Sequence, residues 1–357
     1  MIEIENSLKR DIEIIKETSL SLLNRDNIVS IYLYGGYGRD EGSWVLEHEN
    51  GKTTAKPYND YDIALIVKSK FSNSKLRELE NEIKKHVDVK WIDLCQFTTL
   101  NLKLYRTTIK NYDFKYASKW IYGDRTVLEH IPDMDRKSIT LKDVETLYIT
   151  RLWTLIGAFS SNGLVEMEKE GEMFFRNQMA KCILAIVDNI LVLNKDYDAS
   201  YKKRVKNLSK HSSDIELIDL ANWALEEKLF PKAEGMSSSA IEGLYKKVNN
   251  LFFKYFYSTL SIYYKKEIHC PEDVDRFIVY NFEDFIKRKI KKIVFRDHRR
   301  ELYMHLSILQ GYLAFYYFDM KREHKENIQR VMEQKFNFVS NDIDELRLKV
   351  AELRTGL

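Results

Sequence analysis

The residue types able to do chemistry gather in two short stretches. Gly35-Gly36-Tyr37-Gly38-Arg39 follows the apolar run Ile28 to Tyr34, and Asn59-Asp60-Tyr61-Asp62 opens the apolar run Ile63 to Val67. In a β-strand, residues two apart share a face, so Asp60 and Asp62 project side by side at the strand's entrance. Carboxylates so placed repel each other unless a cation lies between them. Mg²⁺, a hard ion that takes few protein carboxylates and several phosphate oxygens, suits the position. Paired glycines lack Cβ, so their N–H groups can approach an anion closely and supply partial positive charge. Taken singly, an Asp-x-Asp also reads as a solvated strand end and a Gly-Gly as a tight turn. The order strand, Gly-Gly, spacer, Asp-x-Asp, strand is far more restrictive, and describes a phosphate-binding turn beside a metal-binding acid pair.

A third acid would complete the set, and His86 to Cys95 offers two, Asp88 and Asp93. Their separation is odd, so in a regular strand they face opposite sides and only one can join the pair. The long spacer between Gly36 and Asp60 has a local explanation. Ser43 to Glu47 and Lys52 to Lys56 flank Asn50-Gly51, a dipeptide suited to the positive φ angles of a two-residue hairpin turn. An inserted hairpin near 43–57 returns the chain to its starting point, so Asp60 can still face Gly36.

The elements that must position these groups follow from periodicity. A helix is predicted from about Glu3 to Leu23, then the strand Ile28 to Tyr34, the glycine turn, the hairpin, the Asp strand, a charged helix from about Ser74 to His86 and the third-acid strand. This alternation fits an α+β fold with a small mixed sheet and helices on one face. From Thr98 onward helical periodicity dominates, and four prolines in the chain agree with long helices. The expected domains are 1–135, carrying the hairpin, and an all-helical 136–357.

Composition narrows the class. The 357 residues are 44% hydrophobic and 31% charged with formal net charge +3, which fits a globular protein of about two domains. That charge is too small to mark a strongly basic nucleic-acid binder, although nucleic acid is not excluded. Three scattered cysteines, Cys95, Cys182 and Cys270, give neither a zinc spacing nor a disulfide framework. The acidic start Met1 to Asn6 lacks the basic and apolar run of a secretory signal, and Cys182 to Leu193 carries Asp188 and Asn189 and falls short of the ~20 residues that span a bilayer. A cytoplasmic protein without a membrane partner is expected.

The strand, Gly35-Gly36, spacer, Asp60-Tyr61-Asp62 order resembles the DNA polymerase β-like nucleotidyltransferase superfamily, over roughly the first third of the chain. The resemblance implies a nucleotidyltransferase domain followed by a helical one, with Asp60, Asp62 and Asp93 as catalytic and metal-binding acids; Ile92-Asp93-Leu94 before Thr98-Thr99 is similar to the family's third-acid strand. It further implies two Mg²⁺ ions, an NTP donor and transfer of an NMP group to an acceptor hydroxyl on a small molecule, a sugar-like compound or a protein. Gly35, Gly36 and Arg39 would bind the nucleotide. Lys181, at the opening of an apolar helix, and Ser200-Tyr201 about twenty residues later resemble the family's triphosphate and base-stacking residues. Their plain reading is a snorkelling lysine, a helix N-cap and a packed ring. Two other readings stay open: a signalling-nucleotide or nucleotide-polymerising synthase, against which Gly38-Arg39 argues, and an inactive nucleotide-binding or interaction protein, against which the intact acids argue.

The remaining features take plain readings. The aromatic runs Phe252 to Tyr257 and Phe315 to Phe318 have helical spacing and are expected in the core. The basic run Lys287 to Lys292 with Arg296, His298, Arg299 and Arg300 reads as a solvated helix face before an anion site, and His269 and His298 lack ligand-spaced partners.

Overall fold

The computed structural model describes residues 2–49, 51–158, 167–274, 309–314 and 322–355. The basic run 287–300 and the aromatic run 315–318 lie outside the described residues. The chain divides into two compact units. One comprises Met1–Thr140 with Asn194–Ser213 and Leu225–Lys232, and the other Leu141–Leu193, Asp214–Ala224 and Ala233–Leu357.

The first unit is α+β. Helix α1 (Ile2–Leu22) precedes β1 (Ile28–Tyr34), the single helical turn α2 (Gly35–Gly38), the hairpin strands β2 (Trp44–Glu49) and β3 (Lys52–Pro57), β4 (Tyr61–Val67), α3 (Asn73–Lys84), β5 (Ile92–Phe97), α4 (Thr99–Lys103), α5 (Ile109–Ala117) and β6 (Lys119–Gly123). The sheet runs β5-β4-β1-β6; β1 is antiparallel to β4 and β6, whereas β4 and β5 are parallel. The predicted hairpin forms with Trp44 opposite Pro57, Gly51 takes a positive φ of 75°, and Tyr58 N–H donates to Ser43 C=O at 2.9 Å, which closes the loop.

Both faces of the sheet are covered, a correction to helices on one face. Ile31, Leu33, Ile63 and Leu65 pack against α1 and α3, while Tyr32, Ala64 and Ile66 pack with Leu102 of α4 and Phe114 of α5. The reason is in β1 and β4 themselves: they are apolar at successive positions rather than alternate ones, so each face needs a cover.

A buried polar contact fixes the start of β4 from behind. Asp11 of α1 is fully buried; its Oδ2 accepts from Tyr61 Oη at 2.7 Å and its Oδ1 from Arg10 Nε and Nη2 at 3.0 and 2.9 Å. Tyr61 meets Tyr37 edge to face at 4.7 Å, and Tyr37 Oη donates to Ser43 C=O while accepting from Tyr58 N–H. The strand start, the glycine turn and the hairpin base are thereby tied together.

The second unit is helical among its described residues: α6 (Leu141–Gly157), α7 (Lys169–Leu193), most of α9 (Ile215–Leu229), α10 (Ser238–Tyr264), and two later helices, α11 (Arg322–Phe336) and α12 (Ile343–Thr355). Between α7 and α9 lies α8 (Tyr201–Leu208), which packs with the first unit. Phe252, Phe253, Phe256 and Tyr257 are buried and Tyr148 stacks on Phe252 at 5.7 Å, so this aromatic run is core. Among the described residues no helix is long and apolar enough to cross a membrane.

The Asp11 contact yields a test. Tyr61→Phe removes one donor from a fully buried carboxylate and is expected to cost about 1–3 kcal/mol of stability. Urea unfolding measures it, and an unchanged midpoint would mean that Asp11 does not depend on Tyr61.

Candidate active site

The parallel ladder between β4 and β5 sets the acid geometry. Its register places Asp62 opposite Asp93, and Asp60 lies one residue before β4, two positions from Asp62. One carboxylate oxygen from each of Asp60, Asp62 and Asp93 falls within 4.8 Å of the others, spacing that allows a divalent cation to take all three. Asp88 is elsewhere: its side chain is 69% exposed and lies 3.8 Å from Lys56 Nζ. The odd-spacing argument does not decide this. Strand β5 begins only at Ile92, so Asp88 sits on the exposed approach to it.

Gly35 is required by its surroundings. Its φ is +66°, and a Cβ there would lie 1.9 Å from Asp62 Oδ2, so the turn backbone and the Asp62 carboxylate are in direct contact. Asp62 is half-buried beside the turn. Burial first, then the neighbouring charges of Asp60 and Asp93, push the Asp62 carboxyl up to about 7, against which Arg39 and Lys110 act only in part. Asp93 is also raised, by partial burial and by Asp60, with Lys110 opposing. Asp62 and Asp93 thus resist ionisation in the absence of a counter-charge, as expected beside a preformed cation site.

Arg39 anchors the segment after the turn. Its Nη1 donates to Asp113 Oδ2 at 2.7 Å and to Ala199 C=O at 3.2 Å, and its guanidinium lies 4.6 Å from the Tyr201 ring centre. Arg204 Nη2 donates to the same Asp113 oxygen at 2.9 Å, and its guanidinium too lies 4.6 Å from the Tyr201 ring. Arg39 Nε is buried and finds no hydrogen-bond partner among the described residues; the nearest carboxylate oxygen given for it, Glu41 Oε2, is 3.9 Å away.

Glu41 holds the N-terminus of α8. Its Oε1 accepts from Ser200 Oγ at 2.7 Å and Lys202 N–H at 3.1 Å, and its Oε2 from Tyr201 N–H at 2.7 Å. Ser200 Oγ in turn accepts from Lys203 N–H at 3.3 Å as the helix N-cap. The buried Lys228 ammonium completes the cluster by donating to Glu41 C=O at 3.2 Å and Ser43 Oγ at 2.9 Å, and it lies 3.3 Å from where a Gly36 Cβ would be. Arg39, Arg204 and Lys228 thus gather around the carboxylates of Glu41 and Asp113.

The structure therefore brings Gly35, Gly36, Arg39, Ser200 and Tyr201 into one unit with the three acids. Lys181 belongs to the other unit, half-buried on α7. Sequence reading missed Glu41, Asp113, Arg204 and Lys228, which have no motif spacing. The one available signal was Glu41 itself, an acid placed directly after a glycine turn, where a carboxylate would repel phosphate unless otherwise engaged.

No family model matches the chain, and no curated protein matches it. Among solved structures it is similar to spectinomycin adenyltransferase AAD(9) from Enterococcus faecialis, solved with ATP and spectinomycin, at 15% sequence identity and a TM-score of 0.41, covering 68% of this chain and 98% of that one.

Two outcomes follow from this geometry. Because the folded-state value of Asp62 lies above its ordinary 3.8, folding favours the protonated form. Stability from this group is full below about pH 4 and declines as pH rises towards 7. Without divalent cations, Asp62→Asn should gain on the wild type across that window, by at most a few kcal/mol. Mg²⁺ should narrow the gap by stabilising only the wild type; parallel stability–pH curves would contradict this. Second, Glu41→Ala removes the acceptor for three donors and should cost about 1–3 kcal/mol in urea unfolding, whereas unchanged stability would mean the α8 cap is dispensable.

Proposed function

We propose that this chain is a divalent-cation-dependent nucleotidyltransferase that moves an NMP group from an NTP to an acceptor hydroxyl, releasing pyrophosphate. The observation that carries the reading is the convergence of Asp60, Asp62 and Asp93 within 4.8 Å, with Asp62 against the Gly35 backbone. The donor set is all oxygen, which suits Mg²⁺. Two such ions, held by the three acids, would screen the phosphate charge and raise the electrophilicity of the α-phosphorus.

The chain's own residues supply the rest. Gly35 and Gly36 would present backbone N–H groups to an anion, and Arg39, Arg204 and Lys228 would favour phosphate on that side. Asp93 is the most exposed of the acids, which leaves its carboxylate open to an attacking hydroxyl whose proton it would accept. Ser200 and Tyr201 contribute to this reading through the donors they offer to Glu41 and the ring they offer to Arg39, which hold the flank of the turn.

The test is transfer itself. The protein is incubated with each α-labelled NTP, Mg²⁺ and cell extract, and the label is followed. Asp60→Asn or Asp62→Asn should abolish transfer with the fold retained; Asp93→Asn should lower the rate by several orders of magnitude, and Asp88→Asn should leave it nearly unchanged. Near-normal Mg²⁺-dependent transfer by Asp62→Asn would overturn the assignment. Tyr201→Ala should lower the melting temperature with little change in NTP affinity; a large loss of affinity in the folded variant would instead put the ring on the base.

A further inference from the structure

We propose that the cleft at the N-terminal end of β5 is the acceptor site, and that it takes a compact hydroxylated ring compound; this rests on the nucleotidyl-transfer reading. The cleft has a volume of about 410 Å³ and is lined by Asp60 and Asp93, by Trp91 and, from α3, by Glu80, Asn81 and Lys84. It thus opens on two of the three acids, while neither Asp62 nor the glycine turn lines it. The strand order explains why. The turn follows β1, the cleft lies at β5, and β4 runs between them. In-line displacement at phosphorus requires the nucleophile to enter opposite the leaving group. With phosphates at the turn, the acceptor enters from the β5 side.

The lining has the chemistry of a small polar ring. Trp91 is 54% exposed, an uncommon placement for an indole, and its backbone is fixed because its carbonyl accepts from Tyr61 N–H at 3.2 Å. A flat apolar face held two residues from the proposed base is suited to the C–H face of a ring. Around it Glu80 offers acceptors, Lys84 donors and Asn81 both, matching a rim of hydroxyls. Glu80 is itself steadied by a backbone hydrogen bond from Leu94. The volume lies towards the lower end of the roughly 300–1,000 Å³ of small-molecule sites, enough for one or two rings. In the reaction, the acceptor oxygen bonds to the α-phosphorus as the bond to the β-phosphate oxygen breaks. The electron pair leaves with pyrophosphate, and the hydroxyl proton passes to the Asp93 carboxylate and then to water.

The experiment divides a cell extract into a fraction below about 1 kDa and a macromolecular fraction, and supplies each with α-labelled NTP, Mg²⁺ and the full-length protein. Label should move onto the small-molecule fraction. With that fraction as acceptor, Trp91→Ala and Lys84→Ala should each raise the half-saturating amount at least ten-fold with a smaller change in maximal rate; Trp91→Phe should recover most of the loss. Mg²⁺-dependent binding of the NTP, followed separately by calorimetry, should persist in all three variants and confirm that they are folded. Transfer to protein or nucleic acid instead, or unchanged acceptor dependence in both alanine variants, overturns the acceptor site and leaves nucleotidyl transfer standing. Absence of Asp62-dependent transfer to either fraction overturns both readings.

Discussion

Everything at this site depends on the parallel pairing of β4 with β5, which puts Asp62 opposite Asp93 and brings three carboxylates together at the sheet's edge. That pairing opposes the acids' own electrostatics. Asp62 is half-buried against Gly35 and faces two like charges, so the folded protein holds it in a form that favours a proton or a cation. A flexible strand end would let the acids move apart. Here Asp11 grips Tyr61 between Asp60 and Asp62, and the Tyr61–Tyr37 contact links the same point to the glycine turn. The second layer of side chains preserves a strained charge arrangement that the first layer, alone, would relax.

The opposite sign of charge is handled with similar economy of contacts. Arg39 and Arg204 share Asp113, and Glu41 closes the N-terminus of α8 while its own carbonyl accepts from Lys228. These groups join the segment after the turn to residues far along the chain, so the turn's position is set by long-range pairs rather than by local backbone preference alone. The basic groups thus gather beside the glycine turn, and the acids at the starts of β4 and β5.

Much of this was legible from the sequence because it is local. Strand β1, the glycine turn, the β2–β3 hairpin and β4 follow from apolar runs and turn chemistry, and the observed bounds of β1 are those expected. The acid pair was legible for the same reason, since strand alternation needs no tertiary information. The third acid was narrowed by resemblance; what separates Asp93 from Asp88 is where β5 starts, a tertiary fact. The covering of both sheet faces was written in the apolar residues at successive positions of β1 and β4. By contrast, the partners of Arg39 and Glu41, and the cleft that joins Trp91 to α3, depend on contacts between segments far apart in sequence, for which a single sequence carries no periodic signal.

The most direct measurement is a crystal structure with Mn²⁺ in place of Mg²⁺ and a non-hydrolysable NTP, with the metal located by anomalous scattering. The account predicts metal directly coordinated by Asp60, Asp62 and Asp93, with the triphosphate running from that point towards Gly35 and Gly36. Metal bound elsewhere with the three acids unligated, or a triphosphate seated in the Trp91 cleft, would contradict it.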